Sequence, residues 1–138
     1  MKTNDFISDF GPNPVDVNLE KYVLSNGNYR AALWTGKYLQ LTLMNIKVQG
    51  EIGLEIHHDT DQFLKIEYGY GLVKMGKCKN KLDYVKRVQS GYAVFVPAGI
   101  WHNLINIGST PLKLYSIYAP PHHPRGTIQK NRPISDYK

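Results

Sequence analysis

Between residues 50 and 71 the chain reads GEIGLEIHHDTDQFLKIEYGYG, placing a carboxylate, an imidazole and an amide at Glu55, His57 and Gln62. If residues 55 to 57 are extended, side-chain alternation puts Glu55 and His57 on one face and Ile56 on the other. His58, Asp59, Thr60 and Asp61 then read as a polar turn, and a hairpin there folds Gln62 back against the pair. Gln62 opens a second strand whose same face carries Leu64, Ile66 and Tyr68. A later stretch, GYAVFVPAGIWHNLIN at 91 to 106, runs an apolar strand into Pro97 and Gly99, turns, and delivers His102 at the start of another strand.

Glu55, His57, Gln62 and His102 form a mixed nitrogen and oxygen ligand set without a thiolate. Such a set suits one divalent ion, Mn, Fe(II), Co, Ni or Zn, rather than Cu(I) or an iron–sulfur cluster, and its hard oxygens favour Mn or Fe. With Glu55 ionised, the loaded site keeps about one net positive charge and favours an oxyanion or enediolate at an open position. The neutral amide of Gln62 is the weakest of the four ligands. Without it, Glu55, His57 and His102 remain as the two-histidine, one-carboxylate triad that non-haem Fe(II) oxygenases use.

These two stretches resemble the two motifs of the cupin superfamily. The second motif, a glycine, five residues, Pro-x-Gly, two residues, His, three residues and Asn, is matched at Gly91, Pro97, Gly99, His102 and Asn106. The first, a glycine then His-x-His, three or four residues, Glu, six residues and Gly, is matched with changes. Glu55 stands at the first histidine, His57 is the second, Gln62 replaces the glutamate, and Gly69 closes the motif; Gly50 lies one position too close to serve as the opening glycine. The ExH-turn-QF pattern and the ending YAPPHHPRGT look like small bacterial cupins described as mannose-6-phosphate isomerase-like. The resemblance implies an all-β antiparallel double-sheet jelly-roll barrel, one metal ion per chain, and a homodimer.

The elements that must position these residues are short and separated by turns. Val15, Val17 and Leu19 alternate with polar residues as a half-buried strand, and Asn26-Gly27 signals a turn. From Tyr38 to Val48 both strand faces are largely apolar: Gln40, Thr42, Met44 and Ile46 on one, Leu39, Leu41, Leu43 and Asn45 on the other. A strand covered on both sides is expected, with one side in a dimer interface. LDYVKRVQ at 82 to 89 reads as a strand leading to Gly91. The last clear strand, LKLYSIYAP, puts Leu112, Leu114, Ser116 and Tyr118 on one face, and Pro120, Pro121 and Pro124 stop it. Turns every eight to twelve residues, with no extended 3.6-residue period, are an all-β pattern.

At 138 residues the chain reads as one domain with an arm at 1 to 14 and a tail at 119 to 138. Hydrophobic content of 42% with 20% charged residues is ordinary for a globular protein. Cys78 is the only cysteine, so no internal disulfide forms, which suits a reducing cytosol. The first residues lack the apolar core of a signal peptide, and no stretch is long enough to span a membrane. A cytoplasmic location is expected. The net charge of +6 gathers locally at Lys74, Lys77, Lys79, Lys81, Lys86 and Arg87, read as a solvated hairpin and not a phosphate patch, and no nucleic-acid motif accompanies it.

Two functions fit. One is a metal-dependent enzyme, an isomerase, epimerase, lyase or oxygenase, acting on a small oxygen-rich substrate, with Glu55, Tyr118, His122 and His123 as the groups available for catalysis. Tyr118 is expected to line the cavity, whereas His122 and His123 are expected in an exposed loop and Trp34 and Trp101 in packing. The other is a metal-loaded small-molecule binding module without turnover.

Overall fold

A computed structural model describes residues 8 to 134. Among them the elements run α1 (Leu19–Ser25), β1 (Arg30–Thr35), β2 (Gln40–Ile46), β3 (Asp61–Tyr68), β4 (Tyr70–Gly76), β5 (Tyr84–Gln89), β6 (Ala93–Val96), β7 (Trp101–Asn106), β8 (Leu112–Ala119) and β9 (Ile128–Gln129). Six strands form one antiparallel sheet in the order β6-β3-β8-β2-β1-β9, and β5-β4-β7 form a second. This is the double-sheet jelly-roll barrel expected from the strand pattern.

The inner wall of the larger sheet has two kinds of lining, set by which residues the register places side by side. One row runs Gln62, Tyr118, Gln40, and the next Leu64, Ser116, Thr42, Ala32; both are rich in polar groups. The row below, Ile66, Leu114, Met44, Arg30, is apolar except for its last member. It joins Ile46, Val73, Val94 and Leu104 in the main core. The barrel is therefore polar toward one end and apolar toward the other.

The outer face of β2 is covered by the chain itself. Val23, Ala31, Leu33 and Leu43 form a second core, against which Phe10, Val17, Leu19, Tyr22, Leu41 and Tyr115 pack. The two-sided apolar character of β2 thus comes from α1 and the arm, and no partner subunit is needed to explain it. The strand expected over Val15 to Leu19 is not formed. Asn18 caps a helix instead, its side chain accepting from Lys21 N at 3.1 Å. Leu19, Tyr22 and Val23 lie three and four residues apart, the spacing that brings side chains onto one helical face. Asn26 ends the helix by holding the Asn28 backbone through both its amide atoms.

Residues 8 to 14 of the expected arm run against the sheet, with Phe10 N donating to Leu33 O; residues 1 to 7 lie outside the described residues. Asp9 accepts from Gly11 N, Thr35 Oγ1 and Gly126 N, tying arm, sheet and tail together. Lys77, Lys79, Lys81, Lys86 and Arg87 are exposed around β5, and Lys74 is half-buried. Among the described residues no helix is long and apolar enough to cross a membrane.

Leu43→Ala is expected to lower the unfolding free energy by about 2–5 kcal/mol, because the side chain is fully buried beneath α1. Tyr38→Ala, in the same apolar run but 72% exposed, should change it by less than about 0.5 kcal/mol. Urea denaturation followed by circular dichroism separates the two, and equal losses would contradict the covering role of α1.

Candidate metal centre

Glu55 and His102 face one another as an antiparallel backbone pair: Glu55 N donates to His102 O at 3.0 Å, and His102 N to Glu55 O at 2.9 Å. Directly opposed residues project to the same side, so a carboxylate and an imidazole leave the backbone together. His57 is two residues further along the extended segment. Its carbonyl accepts from Gly99 N at 2.8 Å. Gly99 has φ +83°, a conformation that disfavours side chains, which is why this turn into β7 takes glycine. The segment is also held by Asn103, whose Oδ1 accepts from Gly53 N.

The three side chains converge. Glu55 Oε1 lies 3.3 Å from His57 Nε2 and 3.4 Å from His102 Nε2, and the ligand atoms of all three residues lie within 4.8 Å of one another. Charge-assisted N–H···O⁻ bonds are usually about 2.7–2.9 Å long. Two donors each about 2.1 Å from a shared ion stand roughly 3.0–3.4 Å apart, which is the separation found here. Both Nε2 atoms are buried without a hydrogen-bond partner. The Nδ1 of His102 sits 2.9 Å from the Ile100 carbonyl, which can only accept. Its proton therefore belongs on Nδ1, and the Nε2 lone pair is left for a cation. Burial pushes the Glu55 carboxyl upward, but the His102 and His57 imidazoles beside it outweigh burial and hold the group well below the usual carboxylate range.

Gln62 stands on the other sheet, opposite Tyr118, whose ring centroid lies 5.9 Å from that of His57. The expected hairpin does not form: β3 lies between β6 and β8, while Glu55 is bridged to β7. The polar run 58 to 60 crosses between sheets, because Glu55 finds its backbone partner in His102. Gln62 is buried, its Nε2 donates to Ser116 Oγ at 2.9 Å, and its Oε1 has no partner. An amide fixed with its oxygen free can serve as a ligand.

Tyr118 is buried beside the cluster, its ring centroid 5.9 Å from that of His57, and burial pushes its hydroxyl pKa up. The proline-rich tail, expected as a free loop, instead folds across the mouth. Although His122 is largely exposed, its ring lies 4.2 Å from that of His57 and stacks on Tyr118 at 5.5 Å. His123 meets the Tyr118 ring edge-on. Gln40 explains the fold-back: its Oε1 accepts from the backbone of His122 and His123, and its Nε2 donates to His123 O. His58 is exposed.

Other motif residues hold structure. Asn106 donates to Ile46 O and Thr110 O and accepts from Gly108 N, fastening the end of β7. Trp34 donates to Asn13 O, and Lys79 lies over the Trp101 ring. Sequence reading missed Arg30, a buried cation on the inner face of β1. An arginine preceding the apolar run AALW was the available signal.

His57→Ala and His102→Ala are each expected to abolish metal retention measured by elemental analysis, since each removes a strong ligand. Ser116→Ala, which frees the Gln62 amide, should weaken metal affinity by about tenfold or more. Acidification tests the tail. Burial, with Arg30 next, lowers the His123 pKa to about 3, and burial followed by His57 lowers that of His122. A free histidine titrates near about 6.5, so below that pH the undocked tail binds more protons than the docked one. Docking should be complete above about pH 6.5 and weaken as pH falls toward 3. Amide exchange over residues 122 to 129 in metal-free protein reads it, and uniform protection across that range would contradict it.

The cupin domain profile matches residues 42–118. The chain is 53% identical over 129 residues to the uncharacterized protein YrkC of Bacillus subtilis (strain 168), covering 94% of this chain and 69% of that protein. An uncharacterized protein of Acanthamoeba polyphaga mimivirus is 41% identical over 120 residues, covering 86% and 73%. The crystal structure of BH2720 from Bacillus halodurans superposes with a TM-score of 0.92 at 50% identity, over 95% of this chain and 99% of that one. Carrying both motif stretches on a double-sheet barrel, and matched by the domain profile from β2 to β8, this chain belongs to the cupin domain family.

Proposed function

We propose that this cupin is a divalent-metal-dependent enzyme acting on a small oxygen-rich substrate through a carbonyl or alkoxide, by isomerase, epimerase or lyase chemistry. The observation that supports it is the pair of buried Nε2 atoms aimed at one carboxylate oxygen with no hydrogen-bond partner. Glu55, His57 and His102 would hold the ion, with Gln62 Oε1 as a fourth donor. Two imidazoles with hard oxygens favour Mn or Fe(II). When bound, the ion supplies Lewis acidity to a substrate oxygen.

The remaining work falls to the chain's own side chains. Glu55 stays ionised and sets the charge that a substrate oxygen meets. Tyr118, whose raised pKa keeps its hydroxyl protonated, can donate a hydrogen bond to developing negative charge. His122, at the rim against His57, stays neutral to lower pH than a free histidine and is placed to accept a proton. The sugar phosphate isomerisation implied by the motif resemblance is one reaction within this class. The same triad also supports Fe(II) oxygenase chemistry.

Glu55→Gln tests the enzyme reading. It keeps an oxygen ligand and raises the loaded site from about one positive charge to about two. Metal content should fall modestly and turnover on hydroxy-carbonyl substrates should drop by about 100-fold or more. A metal-loaded wild type that binds such compounds without converting any of them would make the protein a binding module.

A further inference from the structure

Arg30 is 4% exposed and stands opposite Met44, a core residue, so its side chain enters the barrel. An arginine keeps its charge in protein interiors. Its contacts are the neutral Gln129 Oε1, the face of Tyr29, and Tyr118; among the described residues no carboxylate pairs with it. Its Nε has no partner. Thr42, its diagonal neighbour on β2, also buries Oγ1 without a partner. Water can satisfy a hydroxyl, but a buried charge needs an opposite charge.

Tyr118 connects this cation to the metal centre. Its ring lies against His57 while its hydroxyl interacts with Ser116 and Arg30. One tyrosine side chain thus contacts both Arg30 and a histidine of the triad.

We propose that Arg30 anchors the carboxylate of a small ligand whose second oxygen reaches the metal centre. The inference rests on the metal reading above and specifies its substrate class: short hydroxy- or oxo-carboxylates. A guanidinium edge presents coplanar N–H groups that match the two oxygens of a carboxylate. The charges agree as well. Glu55 and a divalent ion leave one positive charge, Arg30 adds a second, and one carboxylate cancels the second while leaving the first to act on the other oxygen. A phosphate monoester dianion would cancel both.

The test uses Mn²⁺-loaded protein, calorimetry, and three probes: glycolate, its uncharged analogue glycolamide, and inorganic phosphate. Elemental analysis of each variant comes first. Wild type should bind glycolate at least about tenfold tighter than glycolamide, and Arg30→Gln should bring the two within about twofold at unchanged manganese content. Arg30→Lys, which keeps the charge and loses the fork, should fall between. Equal binding of glycolate and glycolamide by wild type overturns the proposal, as does undiminished discrimination in Arg30→Gln. Phosphate binding tighter than glycolate overturns the carboxylate assignment. If Arg30→Gln does not fold, the wild-type probe comparison decides alone. Wild type that takes up no manganese overturns the metal reading separately, and Arg30 is then judged on metal-free protein by whether acetate raises the melting temperature more than acetamide does.

Discussion

Two backbone hydrogen bonds join Glu55 to His102, and a third ties Gly99 to His57. Residues 53 to 60 form no regular strand, so these bonds hold the carrier of Glu55 and His57 against the smaller sheet. Without them Glu55 and His57 would sit on a loop, and side-chain convergence within 4.8 Å would have no cause. The motif glycine and the motif histidine act together here. One turns the chain and donates to the His57 carbonyl; the other supplies the backbone partner as well as an imidazole of the cluster.

The second requirement is that polar groups collect at one end of an otherwise apolar barrel. A buried polar atom without a partner costs about 1–3 kcal/mol. Most of the polar rows avoid that cost internally, Gln62 through Ser116 and Gln40 through the tail. Among the atoms left over, two Nε2, Gln62 Oε1, Thr42 Oγ1 and Arg30 Nε are those for which a metal or ligand would supply the partner. Binding there stabilises the folded chain by mass action, so fold stability and site occupancy are linked.

The three side chains that converge were legible because a metal site would demand particular residue types and strand alternation places them. Glu55, His57 and His102 needed only types and spacing. The route that Gln62 takes was not legible. A polar turn followed by a strand reads equally as a hairpin or as a crossing between sheets, and only the long-range pairing of β3 with β8 decides. Helix α1 was hidden for a related reason: Val15, Val17 and Leu19 alternate, and the capping geometry at Asn18 overrides that local pattern. Arg30 escaped notice because the apolar run that follows it marks a strand but not the face the arginine takes, which its opposite number, Met44, decides.

The clamp formed by Gln40 has a consequence for how such a site can vary. One glutamine side chain grips the backbone of residues 122 and 123, not their side chains. The wall over the mouth is thus held by a socket indifferent to the imidazoles it presents. Exchanging the residues at these two positions would alter what an incoming molecule meets while the ligand donors stay fixed, so the barrel and its rim can diversify independently.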